Sequence, residues 1–225
     1  MKKIEYLAVI PARKKSKRII NKNVKKINNK ILFDHTLDAA KKSKKIKKII
    51  VTTDIKKLIK ENSKKIFYIK RPKKLSTDNS STESAIFHSL NRFKESTKET
   101  CRNVVLLQPT SPFRSSRDID NAINLFEKKK YDSLFSAYED KMCIWIKKDK
   151  KLKPITYNYN NRKMAQKMKK VIVENGAIFI FNCKKFYKYK VRLFEKIGCF
   201  FMNKKNSIEI DTKFDLMIAK KFDKS

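Results

Sequence analysis

Leu106-Leu107-Gln108-Pro109-Thr110-Ser111-Pro112-Phe113-Arg114 is the stretch that decides how this chain is read. An apolar run, Val104 to Leu107, stops abruptly in polar residues and two prolines. In an open α/β sheet, ligands bind at the carboxyl ends of the strands. Gln108 carries an amide that both donates and accepts, as recognition of a nucleobase edge requires. Pro109 and Pro112 stiffen the loop, so its hydroxyls and Arg114 are held at small entropic cost. The plainer reading of the same residues is a strand followed by a proline-rich turn.

Working outward, short apolar runs alternate with stretches of helical period. Strands are expected at 4–10, 48–53, 65–69, 103–107, 133–137 and 177–181, and helices at 34–44, 55–61, 82–93 and 116–128. Strand followed by helix, repeated, predicts an α/β fold with a mostly parallel sheet and helices on both faces. Ser115 and Ser116 stand where a helix N-cap is wanted, with Asp118 in the first turn. Thr212 and Asp215 form the same arrangement ahead of a C-terminal helix at 213–222. Residues 142–173 break the rhythm. They read as a hairpin around 147–153 and a weakly periodic polar stretch, either a dimer-forming insertion or a surface excursion. Without an internal repeat or clean linker, 1–225 reads as a single domain.

The charge is extreme: 58 Lys and Arg against 22 Asp and Glu give a formal +36. Only nine of the cations are arginine, and glycine falls to 2. Lysine is scattered through every segment, which fits a coding bias toward A and T better than a dedicated basic patch. Specific readers of nucleic acid lean on bidentate arginine. Polyanions should still be attracted nonspecifically at low salt, and anionic nucleotides and acidic sugars captured more readily. Cys101, Cys143, Cys183 and Cys199 are widely spaced, with only His35 and His88 to join them, so free thiols are expected rather than a zinc site. Both histidines fall inside expected helices and read as packing residues. Neither a signal-peptide pattern nor a membrane-length apolar run is present, so a cytoplasmic protein is expected.

The first expected strand ends in Ile10-Pro11-Ala12-Arg13-Lys14-Lys15-Ser16-Lys17-Arg18, followed by Asn21-Lys22-Asn23. A cationic loop at that position suits a triphosphate. Arg13 can grip phosphate oxygens through its fork, while Lys17 and Lys22 act as point charges. Near the C-terminus, Glu209 and Asp211 stand two apart, which on an extended strand puts both carboxylates on one face. Such a pair suits a hard cation such as Mg²⁺. The plainer reading is two solvated acids ahead of a helix.

Taken in order, these segments resemble the acylneuraminate cytidylyltransferase family. The matching elements are Ile10-Pro11-Ala12-Arg13…Ser16-Lys17-Arg18…Lys22-Asn23, Val51-Thr52-Thr53-Asp54 and Arg71-Pro72…Leu75…Asp78. Gln108-Pro109-Thr110-Ser111-Pro112, Asn175-Gly176-Ala177-Ile178-Phe179-Ile180 and Ser207-Ile208-Glu209-Ile210-Asp211-Thr212 complete the set. The resemblance covers almost the whole chain. It implies a Rossmann-like nucleotidyltransferase fold of the nucleotide-diphospho-sugar transferase type, usually a homodimer. It also implies Mg²⁺-dependent transfer of CMP from CTP to the anomeric hydroxyl of an acidic nine-carbon sugar. Arg13 and Lys22 match positions contacting the triphosphate, and Asp211, with Glu209, matches the metal position. Asn23, Arg71 and Thr82 match cytidine-binding positions. Gln108 matches a substrate-contacting glutamine, and Gln166 and Asn175 fall in the region facing the acyl sugar.

The chain also departs from the family. Lys14 and Lys15 stand where glycines normally let the backbone approach phosphates. Glu209 replaces the commoner aspartate. Sialic acid, legionaminic acid and related nonulosonic acids all remain candidate substrates, ahead of 3-deoxy-manno-octulosonate. Two other functions are open on the sequence: a nucleic-acid binder on a nucleotide-binding fold, and a family member that has kept the fold and lost turnover.

Overall fold

Runs of β-branched and aromatic residues become one sheet in the computed structural model, which describes residues 2–27 and 29–222. The elements run β1 (Lys3–Ala12), β2 (Lys26–Ile27), β3 (Lys30–Ile31), α1 (Leu32–Lys42), β4 (Lys48–Thr53) and β5 (Ile66–Lys70). There follow α2 (Thr82–Thr97), β6 (Thr100–Leu107), α3 (Ser116–Lys129), β7 (Ser133–Asp140), β8 (Trp145–Lys148) and β9 (Lys151–Pro154). The chain closes with β10 (Val171–Asn182), α4 (Cys183–Tyr189), β11 (Ile197–Phe201) and α5 (Lys213–Phe222). Among the described residues, seven strands form the main sheet in the order β11-β7-β10-β6-β1-β4-β5. Every pairing in it is parallel except those of β10, which runs antiparallel to both β6 and β7.

Strands at the centre read as unbroken apolar runs because both of their faces are covered. Tyr6, Ala8 and Ile10 of β1 pack on one side with Val105 and Leu107 of β6 and with Phe33, Leu37, Ile119 and Ile123 of α1 and α3. Leu7 and Val9 turn the other way, joining Val104, Leu106, Phe179 and Phe181 under Ile86, Leu90 and Phe93 of α2 and Phe186 of α4. A smaller cluster, Ile19, Ile27, Leu32, Ile210 and Ala219, fastens the loop after β1, the segment bearing Ile210 and the buried face of α5 to the body. The two expected caps form: Ser115 and Asp118 make a reciprocal capping box on α3. Thr212 and Asp215 likewise exchange bonds of 2.7 and 3.2 Å at the start of α5.

Three sequence expectations need correction. The helix expected at 55–61 is a single 3-10 turn, Lys56–Leu58, flanked by extended Ile55 and Ile59. Only Ile55 and Leu58 are buried there, and two apolar anchors three apart fix one turn, not a helix. Strand β11 and helix α4 were not anticipated. The segment Ile-Gly-Cys-Phe-Phe lacks alternation, and α4 is only seven residues long. Residues 207–211 form no strand; the main-chain N–H of Ile210 instead donates to the Thr110 carbonyl at 2.8 Å. The hairpin expected around 147–153 is present as β8 and β9, within the connection that carries the chain from β7 to β10. Among the described residues, no helix is long and apolar enough to cross a membrane.

Edge strand β11 tests how tightly this sheet is packed. A Cβ on Gly198 would lie 2.3 to 2.7 Å from three ring atoms of Tyr131. G198A should therefore cost about 1–3 kcal/mol through overpacking, read as a lowered urea midpoint with unchanged slope.

Candidate active site

Strands β1, β4, β5 and β6 are parallel, so their carboxyl ends share one edge of the sheet. The chain runs outward from β1 through β4 to β5, then returns to place β6 on the other side of β1. The loops after β1 and β6 therefore diverge, which opens a crevice at this switch point. A cavity of about 350 Å³ occupies it. It gathers Arg13, Lys22, Asn23, Arg71, Thr82, Gln108, Glu209 and Asp211, residues drawn from six separate segments of sequence.

One wall is cationic. Asp54, just past β4, accepts from the main-chain N–H of Lys14 at 2.7 Å and so pins the loop after β1. Asn23 donates to the Arg13 carbonyl at 2.9 Å, closing the same loop. The Arg13 guanidinium donates to the Thr77 carbonyl at 2.9 Å and pairs with Asp78 at 3.5 Å. Arg71 is buried, donating to the Thr52 carbonyl at 2.9 Å while its Nε finds no partner. Burial pulls its pKa down to about 10, against the pull of Asp54. The N-terminus of α2, capped by Ser81, also faces the cavity through Thr82. A helix of 16 residues presents positive potential there.

The opposite wall depends on an irregularity in β10. Its pairing with β7 slips between Glu174 and Phe179, and the slip contains Asn175 and Gly176. Gly176 has φ +64, a conformation costly for residues with a Cβ. The Gly176 carbonyl thereby accepts from Gln108 Nε2 at 3.0 Å. A Cβ on this glycine would sit 2.9 Å from Gln108 Nε2 and 3.2 Å from Glu209 Oε1. Arg114, fully buried, donates to the Ala177 carbonyl at 2.8 Å and to the Gln108 carbonyl at 3.3 Å. Burial brings its pKa down to about 9. Arg114 thus points into the protein and braces the loop, and does not project from it toward a ligand.

Two expected contact residues lie elsewhere. Asn175 is buried behind the cavity wall. It accepts from Ser136 Oγ at 2.6 Å and donates to Ser207 Oγ at 2.8 Å. Those bonds tie the slipped strand to β7 and to the segment bearing Glu209, so Asn175 positions the wall and does not line it. Gln166 is exposed in the 142–173 connection, where its carbonyl accepts from Lys141 Nζ at 2.6 Å. Residues that sequence reasoning left without a role are Asp54, Asp78, Ser136 and Ser207. Their motifs were visible, but which backbone each would hold depends on the fold.

Glu209 and Asp211 both line the cavity. Lys22 Nζ donates to Asp211 at 2.9 Å and to the Ile210 carbonyl at 2.8 Å, and Arg18 reaches the same carboxylate at 3.3 Å. Ile210, between them, is buried in the small apolar cluster, so Glu209 and Asp211 share the cavity side without a strand. Glu209 accepts from Thr110 Oγ1 at 3.1 Å. Burial, reinforced by the Asp211 charge, pushes the Glu209 carboxyl above its ordinary 4.5. Among the described residues, no three His, Cys, Asp or Glu side chains converge as a metal cage. Glu209 and Asp211 are the neighbouring carboxylates in the cavity that could hold a divalent cation. Two carboxylates in mutual repulsion fit Mg²⁺, a hard cation that takes one or two carboxylates.

Sequence and fold comparisons now decide the family. The cytidylyltransferase family model matches residues 7–224. This chain belongs to the cytidylyltransferase family. It is 32% identical to an N-acylneuraminate cytidylyltransferase of Escherichia coli O18:K1:H7 over 96% of its own length, and it spans about half, 51%, of that longer protein. It is 30% identical to a CMP-N,N'-diacetyllegionaminic acid synthase of Legionella pneumophila, covering 97% of this chain and 96% of that one. A 4-diphosphocytidyl-2C-methyl-D-erythritol synthase from Anaerococcus prevotii shares the architecture, with TM-score 0.67, 16% identity, and 98% and 99% of the two chains covered. The architecture is thus an α/β nucleotidyltransferase fold, as the motif order implied.

Glu209 supplies a test of the wall's electrostatics. A carboxylate whose folded pKa is raised binds more protons when folded, so it loses stability for the fold as pH rises through 4.5 and beyond. E209Q should therefore stabilise the protein at pH 7 in magnesium-free buffer. The gain should vanish near pH 4, where Glu209 is protonated in both states. Thermal melts of both proteins at the two pH values measure it.

Proposed function

We propose that this chain transfers CMP from CTP to the anomeric hydroxyl of an acidic nine-carbon sugar and releases pyrophosphate. One observation carries the reading: a single cavity at the switch point of a cytidylyltransferase fold combines a cationic wall with a carboxylate pair and a rigid amide. The names of the Escherichia coli and Legionella pneumophila relatives support a nonulosonic acid as acceptor. The nucleic-acid reading rests on net charge, and the fold adds nothing to it.

In this reading Arg13, Lys17 and Lys22 take the triphosphate, Arg13 through its fork and the lysines as point charges. Asn23, Arg71 and Thr82 border the cytidine. Arg71 has an unpartnered buried Nε beside the cavity and rigid anchors at Thr52 and Thr53. Gln108, fixed from behind by Gly176 and Arg114, offers its second amide N–H and its oxygen to substrate. Glu209 and Asp211 would hold Mg²⁺, which offsets charge developing on the leaving pyrophosphate. The chain's own contribution is then positioning: the sugar hydroxyl must meet the α-phosphorus in line while fixed cations neutralise the departing group. Gln166 and the basic, aromatic surface around it belong to the sugar side.

The acceptor side includes a second copy of the chain in this reading. Trp145, Ile146, Leu152, Ile155, Tyr159 and Met164 are all exposed in the 142–173 connection. So many large apolar side chains exposed within one segment mark an interaction surface, and a homodimer closed through this segment covers them. L152D should shift the sedimentation profile from dimer to monomer at micromolar concentration without changing the fold.

Turnover is tested by incubating the protein with CTP, Mg²⁺ and a panel of nonulosonic acids and following pyrophosphate. Release with sialic or legionaminic acid, and not with 3-deoxy-manno-octulosonate, is expected; silence across the panel overturns the assignment. D211N should lower turnover about 100-fold or more, since a bound metal supplies several kcal/mol of charge stabilisation, while leaving the thermal melt near that of the parent. Undiminished turnover would remove Asp211 from the metal site.

A further inference from the structure

Residues 72–81 form a strap that leaves β5 at Arg71 and re-enters the body at α2, so both of its ends border the cavity. The strap holds its own shape. Ser76 and Ser80 donate to the carbonyls of Pro72 and Lys74, at 3.2 and 2.9 Å, and the Thr77 and Ser80 hydroxyls meet at 2.7 Å. Its outer turn reaches across to the loop after β1. There the Thr77 carbonyl accepts from Arg13 at 2.9 Å, and Asp78 pairs with Arg13 at 3.5 Å and with Lys17 at 3.7 Å.

Those cations are the ones a triphosphate would need. Acids are scarce in this chain, 22 against 58 bases, yet one of them lies between Arg13 and Lys17. We propose that Asp78 is an internal stand-in for a phosphate group: it closes the strap onto Arg13 and Lys17, and the triphosphate of the substrate must displace it. The inference rests on the nucleotidyltransferase reading above for the identity of the ligand, and on the ion pairs alone for the competition.

The geometry makes displacement easy. Asp78, Arg13 and Lys17 are all partly exposed, and ion pairs of this kind contribute little each. A polyphosphate brings several charges and bidentate geometry to the same cations, so it outcompetes a single carboxylate. While empty, the site keeps Arg13 and Lys17 oriented and partly neutralised instead of splayed by mutual repulsion. After transfer, the same carboxylate competes with departing pyrophosphate and so favours its release. Asp78 is thus a specificity-determining residue: a ligand with one phosphate gains less against it than a ligand with three.

Calorimetric titration of the 225-residue chain with inorganic triphosphate, with CTP and with cytidine tests this. D78N should bind inorganic triphosphate and CTP about three- to tenfold more tightly than the parent, the worth of one or two exposed ion pairs. Cytidine, lacking phosphate, should bind both proteins alike, and the difference should shrink as salt is raised. D78E, which keeps the charge, should match the parent. Unchanged or weaker triphosphate binding in D78N, or equal tightening in D78E, overturns the proposal. Should CTP bind no better than inorganic triphosphate, the nucleotide reading fails, while the comparison of D78N with its parent on inorganic triphosphate still decides the role of Asp78.

Discussion

The approach of Gly176 to Gln108 is the contact on which the cavity depends. Strand β10 runs against the direction of its neighbours, and a regular antiparallel ladder there would carry its side chains straight past the end of β6. The slip between Glu174 and Phe179 breaks that ladder and turns carbonyls toward the Gln108 loop. Gln108 Nε2, Arg114 Nη1 and Ser111 Oγ each donate to one of three successive carbonyls, at residues 176, 177 and 175. Bulges of this kind re-aim strands beside active sites. With one amide N–H committed to Gly176, Gln108 keeps its second N–H and its oxygen to offer a ligand. A buried guanidinium then braces the loop from behind, its Nη1 donating to the carbonyls of both Gln108 and Ala177.

Charge around the cavity is organised differently from charge elsewhere. The chain as a whole carries a large lysine excess, yet the cavity combines Arg13, Lys17, Arg18, Lys22 and Arg71 with Asp78, Glu209 and Asp211. Near-balance keeps the cations ordered without a ligand and leaves the surplus of positive charge outside, where it can draw anions in from a distance. Screening limits that long-range pull to about 10 Å at moderate salt. Selection of ligand therefore falls to the paired groups inside.

Much of this was legible in the sequence because it is local. The loop after β1, the Gln108 loop and the carboxylate pair each announce themselves by residue type and spacing, and parallel strands bring such loop ends together by topology. The caps at Ser115 and Thr212 were readable for the same reason, since both partners lie within one turn. Asn175 was not. Its motif is conspicuous, but whether an amide faces a ligand or three buried partners depends on residues 136, 202 and 207. Arg114 misled in the same way: a charged side chain after a proline-rich loop reads as projecting outward, and only the fold shows it turned under its own loop. The helix expected at 55–61 failed because apolar spacing was judged without a cap to start it or a surface to receive it.

Glycine use separates what this fold requires from what it tolerates. Lys98, Lys130 and Lys190 end α2, α3 and α4 in the left-handed conformation that glycine ordinarily fills. Each accepts a local strain of about 1–2 kcal/mol, and each is exposed, so its side chain meets only solvent. Lys14 and Lys15 occupy the loop after β1 in place of glycines, and that loop holds its path through the Asp54 and Asn23 contacts instead. Glycine stands at only two positions, 176 and 198. At both, an added Cβ would strike a neighbour at less than 3.0 Å, the Gln108 amide in one case and the Tyr131 ring in the other. Backbone strain is thus spread over solvent-facing lysines, whereas steric exclusion cannot be spread. The cavity wall at Gly176 is where the two demands coincide, positive φ and close approach together, and no residue with a side chain meets both.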